Sequence, residues 1–453
     1  MLLKGRHGVA PGLVIGLTIL AITSILYASA RLTPAASRWI HRWSSSGASN
    51  SALSTPSGRL PSVTQQVAES HYELFSHSTH NGSYFFIRFG DYPAINPNII
   101  PHPRLNDTWI IVAQQHKHAD SNQMWLTELV CDATFREGRL QCVKQPMILT
   151  ISNSLSTQCR GDLAFLNFNV GPHDARVFWG PTHPYVIYGS QSAHTCFGQW
   201  VQDFRVVTDW RINGVLNEAF YFATDIQRPP PYHPVEKNYF LFWDLQGDMY
   251  VHYDVAPQRV FAKLNKDGSV GEDLAPASRE HDERCLDKHL APASVRTLDH
   301  MHQATNSLRI IMCNRSDPTC HQTPSNTFIF TVFQQKTYED WHSVYEPFVM
   351  LFEQTAPFKM HAVSTKPLWI HGRRLAKPPN ELPKEWVKTR PPLDQHEMMY
   401  VTSMNWMERG LNHTGYLDDM LLVGFGIEDR NTGGIDIMAK DLLGGIGICS
   451  DDG

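Results

Sequence analysis

Two short segments of the chain place ionisable residues directly before strands that are apolar enough to be buried. The first is NVGPHDARVFWG, residues 169–180, in which Gly171-Pro172 forces a turn before Asp174 and Arg176. Residues two apart share one face of a regular strand, so this spacing predicts a carboxylate beside a guanidinium. The positive charge favours the ionised carboxylate, whereas burial raises its pKa. Such a pair is typical both of acid/base chemistry and of an ion pair at a strand end.

The second segment is VEKNYFLFW, residues 235–243, which opens with Glu236, Lys237 and Asn238. Charged residues are mostly exposed, so these side chains could be no more than a solvated strand end. They could also line a pocket, because the innermost strands of propeller blades meet around one central channel. In that arrangement Glu236 would supply a second carboxylate to the site of Asp174.

Polar and aromatic side chains also flank two later strands. HMHQATNSLRI, residues 300–310, offers hydrogen-bond partners for a sugar or a phosphate, and KPLWIHGRR, residues 366–374, offers a basic cluster beside a tryptophan. That cluster could bind phosphate or a sugar face, or it could be a solvated edge. The residues that we predict to bind substrate, besides Arg176, Lys237 and Asn238, are His302, Asn306, Arg309, Trp369, His371 and Arg373.

Metal chemistry has little support in the sequence. His300 and His302 alternate, but the spacing suggests no third ligand. The pair Asp418-Asp419 is typical of a turn before a hairpin, and also of a metal-binding acidic motif. The chain has no GxSxG, no glycine-rich phosphate loop and no HExxH. We therefore predict no metal site and no cofactor.

Short runs rich in Val, Ile, Phe, Tyr and Trp recur between turn signals from about residue 70 onward. About fifteen such strands, with little helical periodicity, predict an all-β body. The body would be a pair of sandwiches or a β-propeller, and five blades of about 75 residues would fit. Two short helices are predicted, over 281–291 and around 338–344, and the segment 204–212 is predicted as a strand.

The composition is that of a globular protein. Of 453 residues, 42% are hydrophobic and 11% aromatic, so a sizeable core can be buried. Charged residues make up 18%, and the formal net charge is -5. Because the chain has no basic run and no basic residues interleaved with aromatics, we do not expect nucleic acid as a partner.

The N-terminal segment predicts entry into the secretory pathway. Residues 11–30 carry no charge and are about long enough to span a bilayer. They end in Ala28-Ser29-Ala30, which is typical of a cleavage site, so an uncleaved signal anchor and a cleaved signal both stay open. The predicted organisation is a transmembrane segment over 1–30, a flexible stem over 31–66 and a globular body over 67–453.

Two further patterns place the body in a lumenal compartment. Eight cysteines behind a secretory signal favour disulfides, and we predict the local pairs Cys131–Cys142 and Cys313–Cys320. The predicted location is the Golgi or endoplasmic reticulum membrane, as a single-pass type II protein, or outside the cell if the signal is cleaved. Asn-X-Ser/Thr patterns predict N-glycosylation at Asn81, Asn106, Asn314 and Asn412.

Several motifs resemble those of a known group of enzymes. VGPHDARVFWG resembles the Glu-Asp-Pro-Arg motif in the second blade of the five-bladed β-propeller mannoside phosphorylases and their mannosyltransferase relatives. VEKNYFLFWDLQGDMYVHYDV is similar to their Glu-Lys-Asn-Trp stretch, YLDDMLLVGFGIEDR to their closing segment, and AINPNII (94–100) to the Asn-Pro of blade one. The departures are His173, Ala175, Tyr239 and Glu428, where the family has Glu, Pro, Trp and Asn.

The resemblance implies a five-bladed propeller that acts on glycans. In the resembling phosphorylases the Asp of the second-blade motif donates a proton to the glycosidic oxygen, a role that falls here on Asp174 with Arg176 as its partner. Most glycosidases need a second carboxylate across the sugar, for which we predict Glu236. The main prediction is a membrane-anchored glycosyltransferase that uses a sugar donor to make mannosidic or similar linkages. The alternatives are a glycoside phosphorylase or hydrolase with the same pocket, and a non-catalytic lectin-like propeller.

Overall fold

The computed structural model describes residues 63–116, 126–152, 154, 156–168, 171–208, 219–290, 301–303, 305–339, 341–384 and 389–449. The predicted anchor over 1–30 and the predicted stem as far as residue 62 lie outside these residues. Within the described ranges, no helix is both long and apolar enough to cross a bilayer.

The described part of the chain begins with a helix that falls partly within the predicted stem. Helix α1 (Val63–Ser70) is followed by strand β1 (Tyr72–Leu74) and strand β2 (Phe85–Arg88). Next to the helix end, His71 Nε2 lies 3.2 Å from Glu346 Oε2. The N-terminal segment is therefore tied to the body already at residue 71.

Most of the described strands fall into five mainly antiparallel groups, which we number along the chain as sheets 1 to 5. A parallel strand pair joins the first and the last group into one nine-stranded sheet. Sheet 1 contains β3 (Ala94–Pro101), β4 (Trp109–Gln115), β5 (Glu128–Arg136) and β6 (Arg139–Cys142), with β7 (Met147–Ile148) paired to β5. Sheet 2 contains β8 (His173–Trp179), β9 (Pro184–Gln191), β10 (Phe197–Asp203) and β11 (Thr224–Asp225). Sheet 3 contains β12 (Phe240–Trp243), β13 (Met249–Asp254) and β14 (Val260–Lys263).

Sheets 4 and 5 complete the series and also contain strands that are distant in sequence. Sheet 4 contains β15 (Met301–Gln303), β16 (Leu308–Ile311), β17 (Thr327–Glu339), β18 (His342–Glu353) and β19 (Met360–Ser364). The parallel pair of β1 with β20 (Leu368–Ile370) stands apart from it. Sheet 5 contains β21 (Met399–Trp406), β23 (Met420–Ile427), β24 (Asn431–Met438) and, from the N-terminal side, β2. The short strands β22 (Thr414–Tyr416) and β25 (Ile446–Ile448) pair with β16 and β19 in sheet 4.

Helices are few and short in the described ranges. The α-helices after α1 are α2 (Phe204–Val207), α3 (Arg279–His289) and α4 (Ala439–Leu442). The 3₁₀ helices are Gly161–Phe168, Ala275–Ala277 and Pro379–Glu381. Helix α3 confirms the helix predicted over 281–291.

Two predicted elements are wrong. The segment that starts at Phe204 begins as a helix and not as a strand, because the Asp203 carboxylate caps it by accepting a hydrogen bond from the Arg205 backbone N–H. The helix predicted around 338–344 is instead a strand hairpin, in which Tyr338 pairs with Ser343. Short apolar runs do not distinguish a helix from a strand by periodicity alone.

Hydrophobic cores lie between each sheet and the next, and they close the series into a ring. Ile100 of sheet 1 and Val177 of sheet 2 share one core, and Ile111 of sheet 1 shares another with Leu422 of sheet 5. Three further cores join sheets 2 and 3, 3 and 4, and 4 and 5. The fold is therefore nearly all-β and propeller-like, which confirms the predicted architecture at this level.

This ring explains the apolar runs of the sequence. A sheet between two neighbours is covered on both faces, so its strands cannot alternate between a buried and a solvated face. Strands β3, β9 and β12 are buried at every position. Their sequences are accordingly mostly apolar, with a few buried polar residues such as Asn96, Asn98 and Gln191.

The first strand of each sheet lies at the centre of the ring. Asn98 of β3 donates from Nδ2 to the carbonyl of Ala175 in β8 (2.6 Å), which links sheets 1 and 2. Asn306, just before β16, donates to the carbonyl of Met404 in β21 (2.8 Å). Further bonds of this kind join Ser307 to Leu241 and Asn405 to Val177. The N-terminal ends of these strands therefore meet around one axis.

The disulfides hold loops and termini to this ring. The predicted pairs Cys131–Cys142 and Cys313–Cys320 are both present, so that prediction is confirmed. Two longer bridges join Cys159 to Cys196 and Cys285 to Cys449. The second of these ties helix α3 to the C-terminal end of the described chain.

Candidate active site

Polar residues in the left-handed backbone conformation gather at the N-terminal ends of the central strands. Asn96 in β3 has φ +56°, Asp174 in β8 has φ +49° and Asn238 just before β12 has φ +66°. Asn and Asp tolerate this region better than other non-glycine residues, which is the local reason that these residue types stand there. Backbone conformations of this kind cluster at functional sites because they aim side chains that a regular strand could not aim.

Asp174 lies at a bulge, half-buried at the start of β8. The register between β8 and β9 shifts between His173 and Arg176. The carboxylate of Asp174 accepts a hydrogen bond from Asn96 Nδ2 (2.7 Å), and its backbone N–H donates to Gln114 Oε1 (3.0 Å). The side chain is thus oriented by residues of sheet 1.

Arg176 does not form the predicted pair with Asp174 among the described ion pairs. Its buried guanidinium donates from NH2 to Asn238 Oδ1 (2.9 Å) and to Tyr400 Oη (3.1 Å), and from NH1 to the Gln303 carbonyl (3.2 Å). The bulge at Asp174 breaks the two-residue alternation on which the prediction depended. Arg176 therefore joins sheets 2, 3, 4 and 5 beneath the site.

A second aspartate completes the site from sheet 5. Asp429 stands in the turn between β23 and β24, also with a left-handed backbone (φ +48°). Desolvation by the surrounding protein and then the negative charge of Asp174 raise the pKa of the Asp429 carboxyl, and the charge of His116 lowers it. Asp429 is solvent-accessible, so a ligand can reach its carboxyl group. We call Asp174 and Asp429 the aspartate pair.

Two tyrosines stand beside the aspartate pair. The rings of Tyr345 and Tyr400 lie 4.8 Å apart. Burial, then the charges of Tyr400 and of Asp429, raise the pKa of Tyr345, and burial also raises the pKa of Tyr400. Both hydroxyls therefore stay protonated at neutral pH, and that of Tyr400 donates to Asn238 Oδ1 (3.2 Å).

Glu236 is not free to act as the second catalytic carboxylate. Arg228 NH1 donates to both of its oxygens (3.0 and 2.9 Å), Tyr239 Oη donates to Oε2 (2.7 Å) and the His233 backbone N–H to Oε1 (2.6 Å). Arg228 also pairs with Asp254 (2.9 Å). With 5% of the residue exposed, this buried network is structural. This network argues against the predicted role of Glu236 as the second catalytic carboxylate, and that role stays a prediction.

Lys237, Asn238 and His302 line one cavity together with Glu236, and their role in binding substrate stays a prediction. The cavity has a volume of about 660 Å³, in the range of ligand pockets, and Tyr338 and Lys336 form part of its wall. Asn238 Nδ2 lies 3.3 Å from His302 Nδ1, and Asn238 also contacts Arg176. Asn238 thus connects the cavity to the buried guanidinium of Arg176.

A second cavity adjoins the other side of the pair. It has a volume of about 620 Å³, and its lining includes His116 and Arg430. His116 acts electrostatically on Asp429, and Arg430 follows Asp429 in the chain. The second cavity therefore lies near Asp429.

Asn306 and Arg309 do not reach the site, contrary to prediction. Asn306 is buried, with its amide bonded to the backbone of Met404. Arg309 donates to the carbonyls of Asp244 (3.0 Å) and Trp243 (3.5 Å), which lie at the far end of β12 from Asn238. Since the central strands run side by side, Arg309 faces the opposite end of the ring.

Trp369, His371 and Arg373 are also held in structural contacts. Trp369 is 2% exposed, and Arg373 lies over its ring at 4.6 Å. Arg373 is buried too and pairs with Glu346 (3.0 Å). His371 pairs with Glu73 (2.7 Å). A tryptophan packed in this way cannot stack on a sugar, so the predicted binding role of this cluster is corrected.

The acidic pair Asp418-Asp419 is part of a turn. Arg315 donates from Nε and NH2 to the two oxygens of Asp419 (2.9 and 2.7 Å), and the backbone N–H groups of Arg315 and Ser316 donate to Asp418. Their oxygens thus hold the loop between sheets 4 and 5. Of the predicted glycosylation residues, Asn81, Asn106 and Asn314 are exposed and Asn412 is partly exposed.

Sequence reasoning missed Asn96, Asp429, Tyr345 and Tyr400 as site residues. Asp429 and Asn96 were inside the quoted segments YLDDMLLVGFGIEDR and AINPNII, so a signal existed. Both Asn96 and Asp429 stand at chain reversals where a polar residue has an ordinary turn explanation. The sequence did not mark the two tyrosines as site residues, because aromatic residues in strands are common in cores.

No family model matches the chain, and no curated protein matches it significantly. Solved structures give distant matches. One is a glycosyl hydrolase from Bacteroides ovatus, with 11% identity, 82% of this chain and 94% of that chain covered and a TM-score of 0.42. Another is described as belonging to the GH130 family of mannoside phosphorylases, which contains glycoside hydrolases that target beta-1,2 mannosidic linkages in Candida mannan; it has 11% identity, 78% and 86% coverage and a TM-score of 0.43.

A third match is the beta-1,2-mannobiose phosphorylase from Listeria innocua, with 10% identity, 82% of this chain and 96% of that chain covered and a TM-score of 0.41. The resemblance to mannoside phosphorylases predicted from the motifs is therefore confirmed as a distant structural likeness. At these sequence identities and TM-scores, the likeness does not identify a substrate for this chain.

Proposed function

We propose that this chain is a five-bladed β-propeller enzyme that breaks glycosidic bonds, as a hydrolase or a phosphorylase. The observation that carries the proposal is the aspartate pair. Two carboxylates from sheets 2 and 5 lie near enough for the charge of Asp174 to raise the pKa of Asp429. A carboxyl group whose pKa is raised by its surroundings is suited to the role of the acid.

The pair supplies the two functions that glycosidic cleavage needs. Asp429, whose pKa is raised, is the member that holds a proton and can deliver it to the leaving oxygen. Asp174, oriented by the amide of Asn96, is then the carboxylate that activates water or stabilises the positive charge developing on the sugar. The family resemblance gives Asp174 the proton-donor role instead. Either assignment of the acid and base roles uses the same two residues.

Transfer of the sugar to phosphate would use the basic residues around the pair. Lys237 and His302 line the larger cavity and His116 lines the smaller one. Phosphate in either cavity would replace water as the attacking group. A glycosyltransferase that uses a sugar donor is the second candidate, and a non-catalytic lectin-like propeller is the third.

Product analysis tests the proposal. Purified protein is incubated with mannobioses and longer manno-oligosaccharides of defined linkage, with and without inorganic phosphate. Free mannose indicates hydrolysis, and mannose 1-phosphate that forms only with phosphate indicates phosphorolysis. Cleavage in neither condition, together with transfer from a nucleotide sugar to an acceptor, would replace our proposal with the glycosyltransferase.

The pH dependence tests the role of Asp429. The protonated form of a carboxyl with a raised pKa persists to higher pH than that of an ordinary aspartate, so the rate should fall as pH rises through this raised pKa. Asp429→Asn keeps the left-handed backbone and removes the proton donor, so we expect a loss of about 100-fold or more in kcat. Its residual rate should lack the fall on the alkaline side. A pH–rate profile of kcat for both proteins measures this, and an unchanged profile would contradict the assignment.

The location of the protein stays a proposal. We propose a lumenal body in the secretory pathway, anchored by residues 1–30 in the Golgi or endoplasmic reticulum, or secreted if that segment is cleaved. Four disulfides and exposed acceptor asparagines are compatible with such an oxidising compartment. N-terminal sequencing of the mature protein distinguishes the anchor from a cleaved signal.

A further inference from the structure

Two basic side chains meet at the end of the ring that is opposite the aspartate pair. The backbone N–H of Arg309 in β16 donates to the carbonyl of His413 (2.8 Å), and Arg309 pairs with Thr414 in the parallel register of β16 and β22. Arg309 also reaches the carbonyl of Asp244, at the end of sheet 3. The place is therefore a junction of sheets 3, 4 and the loop that leads out of sheet 5.

His413 is buried without a hydrogen-bond partner among the described residues. It is 1% exposed, and neither ring nitrogen has a partner in that part of the chain. The ring of Trp243 packs edge-on against it at 5.1 Å. Burial and then the positive charge of Arg309 hold the pKa of His413 well below its usual value, so the ring is neutral with one N–H donor. A buried donor left unpaired costs about 1–3 kcal/mol, and most such groups in native proteins are paired.

Arg309 brings a positive charge to the same place. Its Nε–H is buried and, within the described ranges, has no acceptor. Asp244 offers it only a backbone carbonyl, because the Asp244 carboxylate accepts bonds from Tyr250 Oη (3.0 Å) and from the backbone N–H groups of Gln246 and Asp248 (both 2.9 Å). Burial lowers the pKa of the Arg309 guanidinium, and the charge of Asp244 offsets this only in part, so the positive charge is incompletely compensated.

We propose that a small monovalent anion of chloride size binds between the Nε–H of Arg309 and the ring N–H of His413. A water molecule could accept both hydrogen bonds, but it would not neutralise the guanidinium, whereas an anion does both. The anion joins sheets 3, 4 and 5 at the pole opposite the aspartate pair. It therefore stabilises closure of the ring and takes no part in catalysis.

The thermal stability of the intact protein in different salts tests this site. Chloride or bromide at 100 mM should raise Tm by about 2 °C or more over sodium gluconate of equal ionic strength, because a ligand that binds only the folded state stabilises it. Arg309→Met should lose this halide dependence. The matched control is Arg315→Met, which removes a half-exposed arginine paired with Asp419, and it should keep the dependence.

A crystal structure tests the anion site without any variant. In crystals grown with bromide, the anomalous signal should show an ion between Arg309 and His413. A water molecule there in place of an ion, or equal Tm values in halide and gluconate, would overturn the proposal. Halide dependence that survives in Arg309→Met would overturn it as well, whereas activity on glycosides bears only on the proposed function.

Discussion

Replacing Asp174 by Asn should lower kcat by about 10²–10⁴-fold, the range typical of a lost acid/base group. The substitution is nearly isosteric. Asn tolerates the left-handed backbone that Asp174 adopts (φ +49°), and its amide oxygen can still accept the hydrogen bond from Asn96. The change removes the charge and the proton site while it preserves the fold. Steady-state kinetics on the glycoside identified by product analysis measures the loss, and circular dichroism with a melting curve measures the fold.

The control for Asp174→Asn is Asp107→Asn. Asp107 has a nearly identical backbone conformation (φ +50°), is exposed and lies in the loop after β3. The substitution also preserves the pattern Asn106-X-Thr108, so glycosylation is unchanged. We expect full activity in this variant. If Asp174→Asn retains wild-type turnover while folded, Asp174 has no part in the mechanism and the aspartate pair is not catalytic.

Replacing Glu236 by Gln should destabilise the protein by about 3 kcal/mol, because it leaves part of a buried charge network without its partner. Arg228 and Tyr239 both donate to the Glu236 carboxylate, and an amide cannot accept at both positions. The molecules that remain folded should turn over at nearly the wild-type rate, because Arg228 and Tyr239 already hold the Glu236 carboxylate. Urea unfolding gives the free energy, and kcat normalised to the folded fraction gives the activity.

Glu272→Gln serves as the reference for this second variant. Glu272 is exposed on the surface, so the same chemical change should alter the free energy of unfolding by less than about 0.5 kcal/mol. The two variants together separate a buried structural acid from a surface acid. A Glu236→Gln protein of unchanged stability with a hundredfold lower kcat would restore Glu236 as a catalytic residue.

Much of the fold was accessible from the sequence because the sheets are buried on both faces. Segments such as FLFW in β12 and PYVIYGSQ in β9 are strands by composition alone, and turn residues separate them. The local disulfides were also accessible, since Cys131–Cys142 and Cys313–Cys320 each close a short loop. The prediction of a strand failed at Phe204, because the capping carboxylate of Asp203 starts a helix there.

The amino-acid sequence by itself determined an all-β body with local disulfides and marked Asp174 as a residue placed to do chemistry. Only the tertiary structure decided that residue's partners. A one-residue bulge turns Arg176 away from Asp174, and the Arg228 network occupies Glu236, whereas closure of the ring brings Asp429 from the last sheet. The physical reason is that strand periodicity specifies which face a side chain occupies within one sheet, whereas contacts across the axis depend on how all five sheets close.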